Sequence, residues 1–474
     1  MIQIPSLITD NKEINDAYRL AIANIAANIL PFKDGILEKE EKVFIAGLGY
    51  VTPWTRDAAI NTWNAGGLIC PEVALNTLKS VLSKDEKGYL IDGEYWDKII
   101  WTTGAWNYYL FTGDTEFLKI AYEATCNSIK YLESTEFSQE LNLFRGGACF
   151  QDGVAGYPDI YAKPGESGII VFSEDCRELC NDIGVGLPMY ALSTNCLYYN
   201  AYVLADKMAD ELGFSKNYEQ KALNVKTAIN TVFWNEEKNN YNYLYDNFGG
   251  CDSIEGLGVA FAILFGVASE EQVKKVVSNT PVSAYGITCV SPSFKRYDTE
   301  DGMGFGRHSG TVWPHVQGFW ADAVSMYGET ELFDYEFSKQ YENALRYYQF
   351  AEIYHPLTGE IYGGRQERDK RGIVEWKAEP YQTWSATAYL RNVYFNLCGM
   401  NFTTEGINFS PIGSSLTKKI ELKKFLYRNA VLNISIIGNG NKIACFKING
   451  IEGNSFISAD AEGEFNIEIE LVVK

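Results

Sequence analysis

Histidine is scarce in this chain: 474 residues hold three, His308, His315 and His355. They offer no pair at i, i+4 on a helix and no matching carboxylate, the arrangement a zinc hydrolase needs. The ten cysteines are scattered. Cys176 and Cys180 are separated by three residues, but no second pair or histidine cluster completes a metal site. Neither a metal nor another cofactor is expected. Basic residues are also short, 41 Lys and Arg against 61 Asp and Glu, for a formal charge of −20. That balance disfavours nucleic acid and anionic membrane as partners, since both attract basic patches. No apolar run of about 18 residues is present to cross a membrane. The opening Met-Ile-Gln-Ile-Pro-Ser-Leu carries no basic region followed by an apolar one. The expectation is a cytoplasmic protein with reduced thiols, acting on a neutral small molecule or oligosaccharide.

What the chain has in quantity is aromatic surface: 10 Trp, 31 Tyr and 26 Phe. Most fill a large core, yet aromatic faces also stack on the apolar faces of sugar rings, and their polar edges bond hydroxyls. Hydrophobic periodicity predicts helices at Glu13–Leu30, Ala58–Trp63 with Asp57 as its cap, Pro71–Leu82, Ile99–Phe111 and, capped by Asp114, on to Tyr131. Further helices are read at Met189–Leu212, Tyr218–Val232, Ser253–Phe265, Glu270–Val277, Val316–Tyr327, Glu331–Phe350 and Thr383–Leu397. Roughly twelve helices joined by alternately short and long connections suit stacked helical hairpins closing on themselves, a mainly α (α/α)6 toroid with its long loops at one end.

After Gly399 the texture changes. Ile420–Leu422, Asn433–Ile437, Lys442–Ile448 and Asn466–Leu471 alternate with period two, and Gly438–Asn441 and Asn449-Gly450 supply turns. The expected division is a catalytic toroid over residues 1–400 and a small C-terminal β-sandwich-like domain over 401–474.

Polar and aromatic residues concentrate in the long loops. The stretch Arg145 to Asp159 is too rich in glycine for an element interior and presents Asp152 on an irregular backbone between helical segments. A second loop carries Trp54, Arg56 and Asp57; another, Gly88–Asp97, carries Trp96. The segment from Gly304 holds Arg307, His308 and Trp313; the last holds Glu352 and continues to Glu379 and Trp384. Two carboxylates from separate loops facing one cavity are what glycoside hydrolysis needs: one protonated to reach the leaving oxygen, one ionised to activate water. Asp152, flanked by Phe150 and Tyr157, is expected to have its pKa raised by desolvation and to act as the acid. Glu352 is the expected base and Glu379 its rival. Trp54, Arg56, Asp57, Trp96, Arg307, His308, Trp313, Glu379 and Trp384 are the expected substrate-binding residues.

Tyr-Val-Thr-Pro-Trp-Thr-Arg-Asp57, Phe-Gln-Asp152-Gly-Val-Ala-Gly-Tyr-Pro, Gly-Thr-Val-Trp313-Pro, Glu352-Ile-Tyr-His-Pro-Leu-Thr-Gly359 and Gln382-Thr-Trp-Ser-Ala386 occur in that order. Together they resemble the six-hairpin glycosidases, the superfamily of processing α-glucosidase I, trehalase and glycogen-debranching enzymes. The resemblance covers about residues 40–400 and implies inverting hydrolysis of an α-linked sugar, an α-glucoside or related oligosaccharide. It points to Asp152 as acid through that residue alone, Gln151 and Gly153 replacing the usual neighbours. It points to Glu352 as base, and to Trp54, Arg56 and Asp57 around the reacting sugar.

Other readings use the same scaffold. A glycoside phosphorylase needs a phosphate pocket, for which Arg365, Arg368, Lys370 and Arg371 are candidates; a sugar epimerase would pair His308 with His355. A non-catalytic sugar-binding protein would keep the cavity without the two carboxylates.

Overall fold

The computed structural model describes residues 4–163, 165–175 and 186–472; Cys176 and Cys180 lie outside them. Among the described residues twelve α-helices are seven residues or longer: α1 (Lys12–Ala27), α2 (Thr55–Asn61), α3 (Pro71–Ser80), α4 (Trp101–Thr112), α5 (Thr115–Thr135), α6 (Leu192–Glu211), α7 (Glu219–Val232), α8 (Gly256–Leu264), α9 (Glu270–Asn279), α10 (Pro314–Ser325), α11 (Thr330–Tyr347) and α12 (Thr383–Arg391). They divide by burial. The even-numbered helices are buried over nearly their whole surface, α2 and α12 at every residue, whereas α9 buries only Val273 and Val276. A helix with a single narrow apolar stripe, such as α9, belongs outside. The packing follows: α2 contacts α4, α4 contacts α6, and so on through α8 and α10 to α12, which contacts α2 again.

Local chemistry sets the helix ends. Asn11 accepts hydrogen bonds from the amides of Glu13 and Ile14, and Asp114 from Phe117 at 2.9 Å, satisfying donors that a helix start leaves free. Two expectations are corrected. Helix α1 stops at Ala27, not Leu30, because Ile29–Phe32 pairs as a strand with Glu41–Phe44 and contains Pro31. Asp57 is not a cap: α2 begins at Thr55, which puts Arg56 and Asp57 inside its first turn. Both α2 and α12 run on into short π-helices, Thr62–Gly66 and Asn392–Leu397.

The C-terminal region is sheet. With β1 (Ser6–Thr9), β2 (Lys419–Tyr427), β3 (Ala430–Ile437), β4 (Lys442–Ile448), β5 (Ile451–Glu452) and β6 (Gly463–Val472), the main sheet has the order β1-β2-β3-β6-β4-β5. Along β3, Ala430, Leu432, Ile434 and Ile436 are buried while the residues between them are not, the period-two pattern read in the sequence. Asn449 and Gly450, both at positive φ, make the tight turn between β4 and β5. A second, three-stranded sheet joins Met400–Phe402, Gly406–Phe409 and Phe456–Ser458. The main sheet is not confined to residues after 400, because β1 pairs antiparallel with β2 from Ser6↔Lys423 to Thr9↔Ile420. Among the described residues no helix is long and apolar enough to cross a membrane.

Asp334 on α11 ties this region to the helices, accepting from the Ser414 hydroxyl and from the amide and hydroxyl of Ser415 at 2.8 and 2.6 Å. Asp334→Ala leaves those donors without their acceptor. We expect about 1–3 kcal/mol lower stability in denaturant unfolding; an unchanged midpoint would show that the junction is held elsewhere.

Candidate active site

The N-terminal ends of α2, α10 and α12 open on a cavity of about 340 Å³. Trp54 stands at its mouth, 42% exposed, with the Arg56 guanidinium 5.8 Å from its ring. Arg56 is buried. It donates to Asp97 Oδ2 at 3.3 Å and to Asp152 Oδ2 at 2.7 Å, so one cation binds two carboxylates from two other loops. The Phe150 amide donates to the same Asp97 oxygen at 2.9 Å. That bond holds Phe150 at φ +61°, a conformation unusual for a bulky residue, and turns the loop so that Asp152 reaches the cavity. Gly153 is required for another reason. A Cβ there would lie 2.2 Å from Gln366 Oε1 and 2.4 Å from His308 Nδ1.

Glu352 comes from a different construction. Val312 and Tyr354 exchange backbone hydrogen bonds at 3.1 and 2.9 Å, and the Glu352 amide donates to the Glu379 carbonyl at 3.0 Å, aligning three segments side by side. One oxygen of the Glu352 carboxylate accepts from Arg307 Nη2 at 2.7 Å and from the Glu379 amide at 2.9 Å. Among the described residues no hydrogen bond engages the other oxygen. Arg307 is fixed in turn by the Gly363 carbonyl at 2.9 Å, and its own carbonyl accepts from the Trp313 indole at 2.8 Å.

Ten of the eleven site residues expected from sequence line this one cavity: Asp152, Glu352, Trp54, Arg56, Asp57, Trp96, Arg307, His308, Trp313 and Trp384. Glu379 does not. Its carboxylate is held by the Gly49 amide, and only its backbone touches Glu352. Trp96 is fully buried. Sequence reading left out Tyr50, Glu94, Gln366 and Trp376, which also line the cavity, and Asp97, which anchors Arg56. The acidic, aromatic character of the Gly88–Asp97 loop was the available signal for Glu94 and Asp97.

The charges correct one expectation outright. Burial alone raises the Asp152 pKa, but the Arg56 guanidinium, with Arg307, outweighs it and holds the carboxyl below the usual range. Asp57 goes the other way. Burial raises it, Arg56 offsets part of the rise, and the nearby charges of Glu352 and Asp152 add to it, bringing it to about 7. One of its oxygens is buried without a hydrogen-bond partner. Glu94 is also raised, by burial and then by the charge of Asp97. His308, stacked on Trp313 with ring centroids 5.0 Å apart, is driven down to about 3, chiefly by burial, and is neutral. It lies 3.8 Å from Asp152.

The remaining candidates do not converge here. His355 bonds the Met303 carbonyl and the Leu357 amide, at 3.1 and 3.2 Å. None of Arg365, Arg368, Lys370 and Arg371 lines the cavity. Among the described residues no three His, Cys, Asp or Glu side chains group as a metal site.

Asp57 gives a prediction with a definite sign. Its folded pKa of about 7 lies above the unfolded value near 3.8, so the folded protein binds the extra proton. The stability this contributes is full below about pH 4 and is lost as pH rises through 7, by on the order of 4 kcal/mol. Asp57→Asn removes that dependence. Unfolding measured from pH 4 to 8 is expected to show the variant gaining on the parent as pH rises; parallel curves would contradict the shift.

A family model described as the mannosylglycerate hydrolase MGH1-like glycoside hydrolase domain matches residues 98–385. No curated protein matches the chain in sequence. Among solved structures, a sialidase superposes with a TM-score of 0.68 at 13% identity, over 98% of this chain and 40% of its own. A GH78 family rhamnosidase of Bacillus sp. GL1 gives 0.59 at 14%, over 100% of this chain and 44% of its own. The GH63 mannosylglycerate hydrolase from Thermus thermophilus, solved with glucose, gives 0.57 at 14%, over 80% of this chain and 99% of its own. The chain thus spans less than half the length of the sialidase and the rhamnosidase, and at these identities the likeness is one of fold. The match over residues 98–385 takes in the loops of Asp152, Arg307 and Glu352, and this chain belongs to the MGH1-like glycoside hydrolase family, within the six-hairpin glycosidase superfamily.

Proposed function

We propose that the protein is an inverting glycoside hydrolase that cleaves an α-linked sugar, an α-glucoside or a related oligosaccharide. The observation that carries this reading is a single cavity holding two carboxylates from separate loops, each gripped by its own arginine: Asp152 by Arg56 and Glu352 by Arg307. In inverting hydrolysis one carboxyl delivers a proton to the leaving oxygen while the other activates water on the opposite face of the ring. Glu352, with one oxygen doubly bonded and the other left for water, is the base. Asp152 is the acid. Arg56 keeps it ionised in the open cavity, and a sugar that displaces cavity water adds to the desolvation already working to protonate it. Trp54 offers a face for stacking. Asp57, with a pKa of about 7, carries its proton in part of the molecules at neutral pH and in that form both donates to and accepts from sugar hydroxyls.

The contacts that run from α2 around to α12 and back support the (α/α)6 toroid as the scaffold. Residues 1–400 and 401–474 are its two units, with β1 reaching across. A cytoplasmic setting belongs to the same reading, the eight described cysteines being free thiols. The mannosylglycerate hydrolase relative widens the sugars worth testing to mannosides. Hydrolysis is favoured over phosphorolysis because the cavity's two arginines are already committed to carboxylates.

Turnover of aryl α-glucosides, α-mannosides and α-rhamnosides, with and without phosphate, tests the reading. Asp152→Asn and Glu352→Gln are each expected to lose roughly 10²–10⁴-fold in kcat, and the first anomer released by the parent to be β. Unchanged turnover in both variants, an α first product, or a requirement for phosphate would refute it. The pH profile tests the acid separately. Because Asp152 must carry a proton, kcat/KM falls as pH rises past its pKa, and Arg56→Gln, which removes the charge that lowers that pKa, is expected to move the fall to higher pH as it lowers kcat. A limb that stays in place would detach Asp152 from the donor role.

A further inference from the structure

A second and larger cavity, about 690 Å³, lies at the other end of the same inner helices. Trp54–Asp57, Trp313 and Trp384 put the N-terminal ends of α2, α10 and α12 at the candidate active site. Trp63, Ser325 and Arg391 put their C-terminal ends at this one. Its far wall comes from the sheet region, including Phe402 and Lys442.

The floor is polar and costly to build. Arg391, 3% exposed, donates through Nε at 2.9 Å and through Nη2 to Asp322 Oδ2. Its guanidinium lies 4.5, 4.7 and 5.0 Å from the rings of Trp63, Phe395 and Phe319. Asn396, 5% exposed, donates to Asp322 Oδ1 at 2.7 Å and to the Ser325 hydroxyl at 2.6 Å, leaving its own Oδ1 buried without a partner. Burying a charge pair is rarely a gain in stability, and an orphaned buried acceptor is a loss. Both π-helical segments contribute to the lining, one through Trp63 and the other through Phe395 and Asn396. Such distortions cost helix hydrogen-bond geometry and are frequent at functional sites.

We propose that this cavity is a second binding site, for a neutral hydroxylated ligand such as a sugar. Its size is within the usual range for small-molecule sites. The floor carries no net charge, because Arg391 and Asp322 neutralise each other, and Lys442 stands at the exposed rim. Asn107, Asn396, Asn401, Ser325 and Thr330 line the same space as the aromatic residues. Amides and hydroxyls beside aromatic faces recognise sugars rather than anions.

The site is independent of the proposed activity and is tested by binding. D-glucose and D-mannose are titrated by calorimetry into the full chain and into Trp54→Ala, Asn396→Leu and Asn401→Trp. Asn401 is exposed at the rim, so its replacement fills the mouth without touching the buried pairs and serves if Asn396→Leu does not fold. The expected result is a binding event kept in Trp54→Ala and weakened at least tenfold in Asn401→Trp. Sugar binding that is lost in Trp54→Ala and intact in Asn401→Trp would overturn the proposal. So would inorganic phosphate, in place of the sugars, giving the event that Asn401→Trp removes.

Discussion

Arg56 is the charge on which the candidate site depends. A buried guanidinium must be paired, and here it is paired twice, to Asp97 and to Asp152. Asp97 then takes the Phe150 amide, which fixes the backbone that presents Asp152. One cation therefore couples three loops, sets the orientation of the candidate acid and keeps it ionised. Arg307 repeats the device with Glu352, so both carboxylates are positioned by charge rather than by packing alone.

The same pairing separates the acids of the site by environment. Asp152 faces a cation and is lowered, whereas Asp57, which also feels Arg56, is buried among other carboxylates and is raised to about 7. Environments that push titratable groups apart are how one cavity comes to hold both a proton and a negative charge. His308, 3.8 Å from Asp152, stays neutral.

Much of this was legible in the sequence and some was not. The twelve helices were readable because the apolar spacing of a helix is local, and the strands after residue 400 because Leu432, Ile434 and Ile436 alternate with period two. The ordered loop motifs named seven residues of one cavity, and the composition of the long loops added Trp96, Arg307 and His308. The pairing of Arg56 with residues 41 and 96 positions away was not legible, since nothing local records a tertiary ion pair. The pKa of Asp152 was misread for that reason: its aromatic neighbours suggested desolvation, and the cation that outweighs it lies in another loop. The end of α1 at Ala27 and the joining of β1 to the C-terminal sheet likewise depend on partners distant in sequence. Glu379 was read as a substrate contact and rival base from its place on the polar loop between Glu352 and Trp384; in the fold its carboxylate accepts from the Gly49 amide.

The most direct test of the opposed roles of Asp152 and Glu352 is a crystal structure of Glu352→Gln holding an intact α-linked disaccharide. The glycosidic oxygen is predicted within hydrogen-bond reach of Asp152, with a water held by residue 352 on the opposite face of the sugar ring. A sugar bound with both carboxyl positions on one face, or with its glycosidic oxygen out of reach of Asp152, would contradict the assignment.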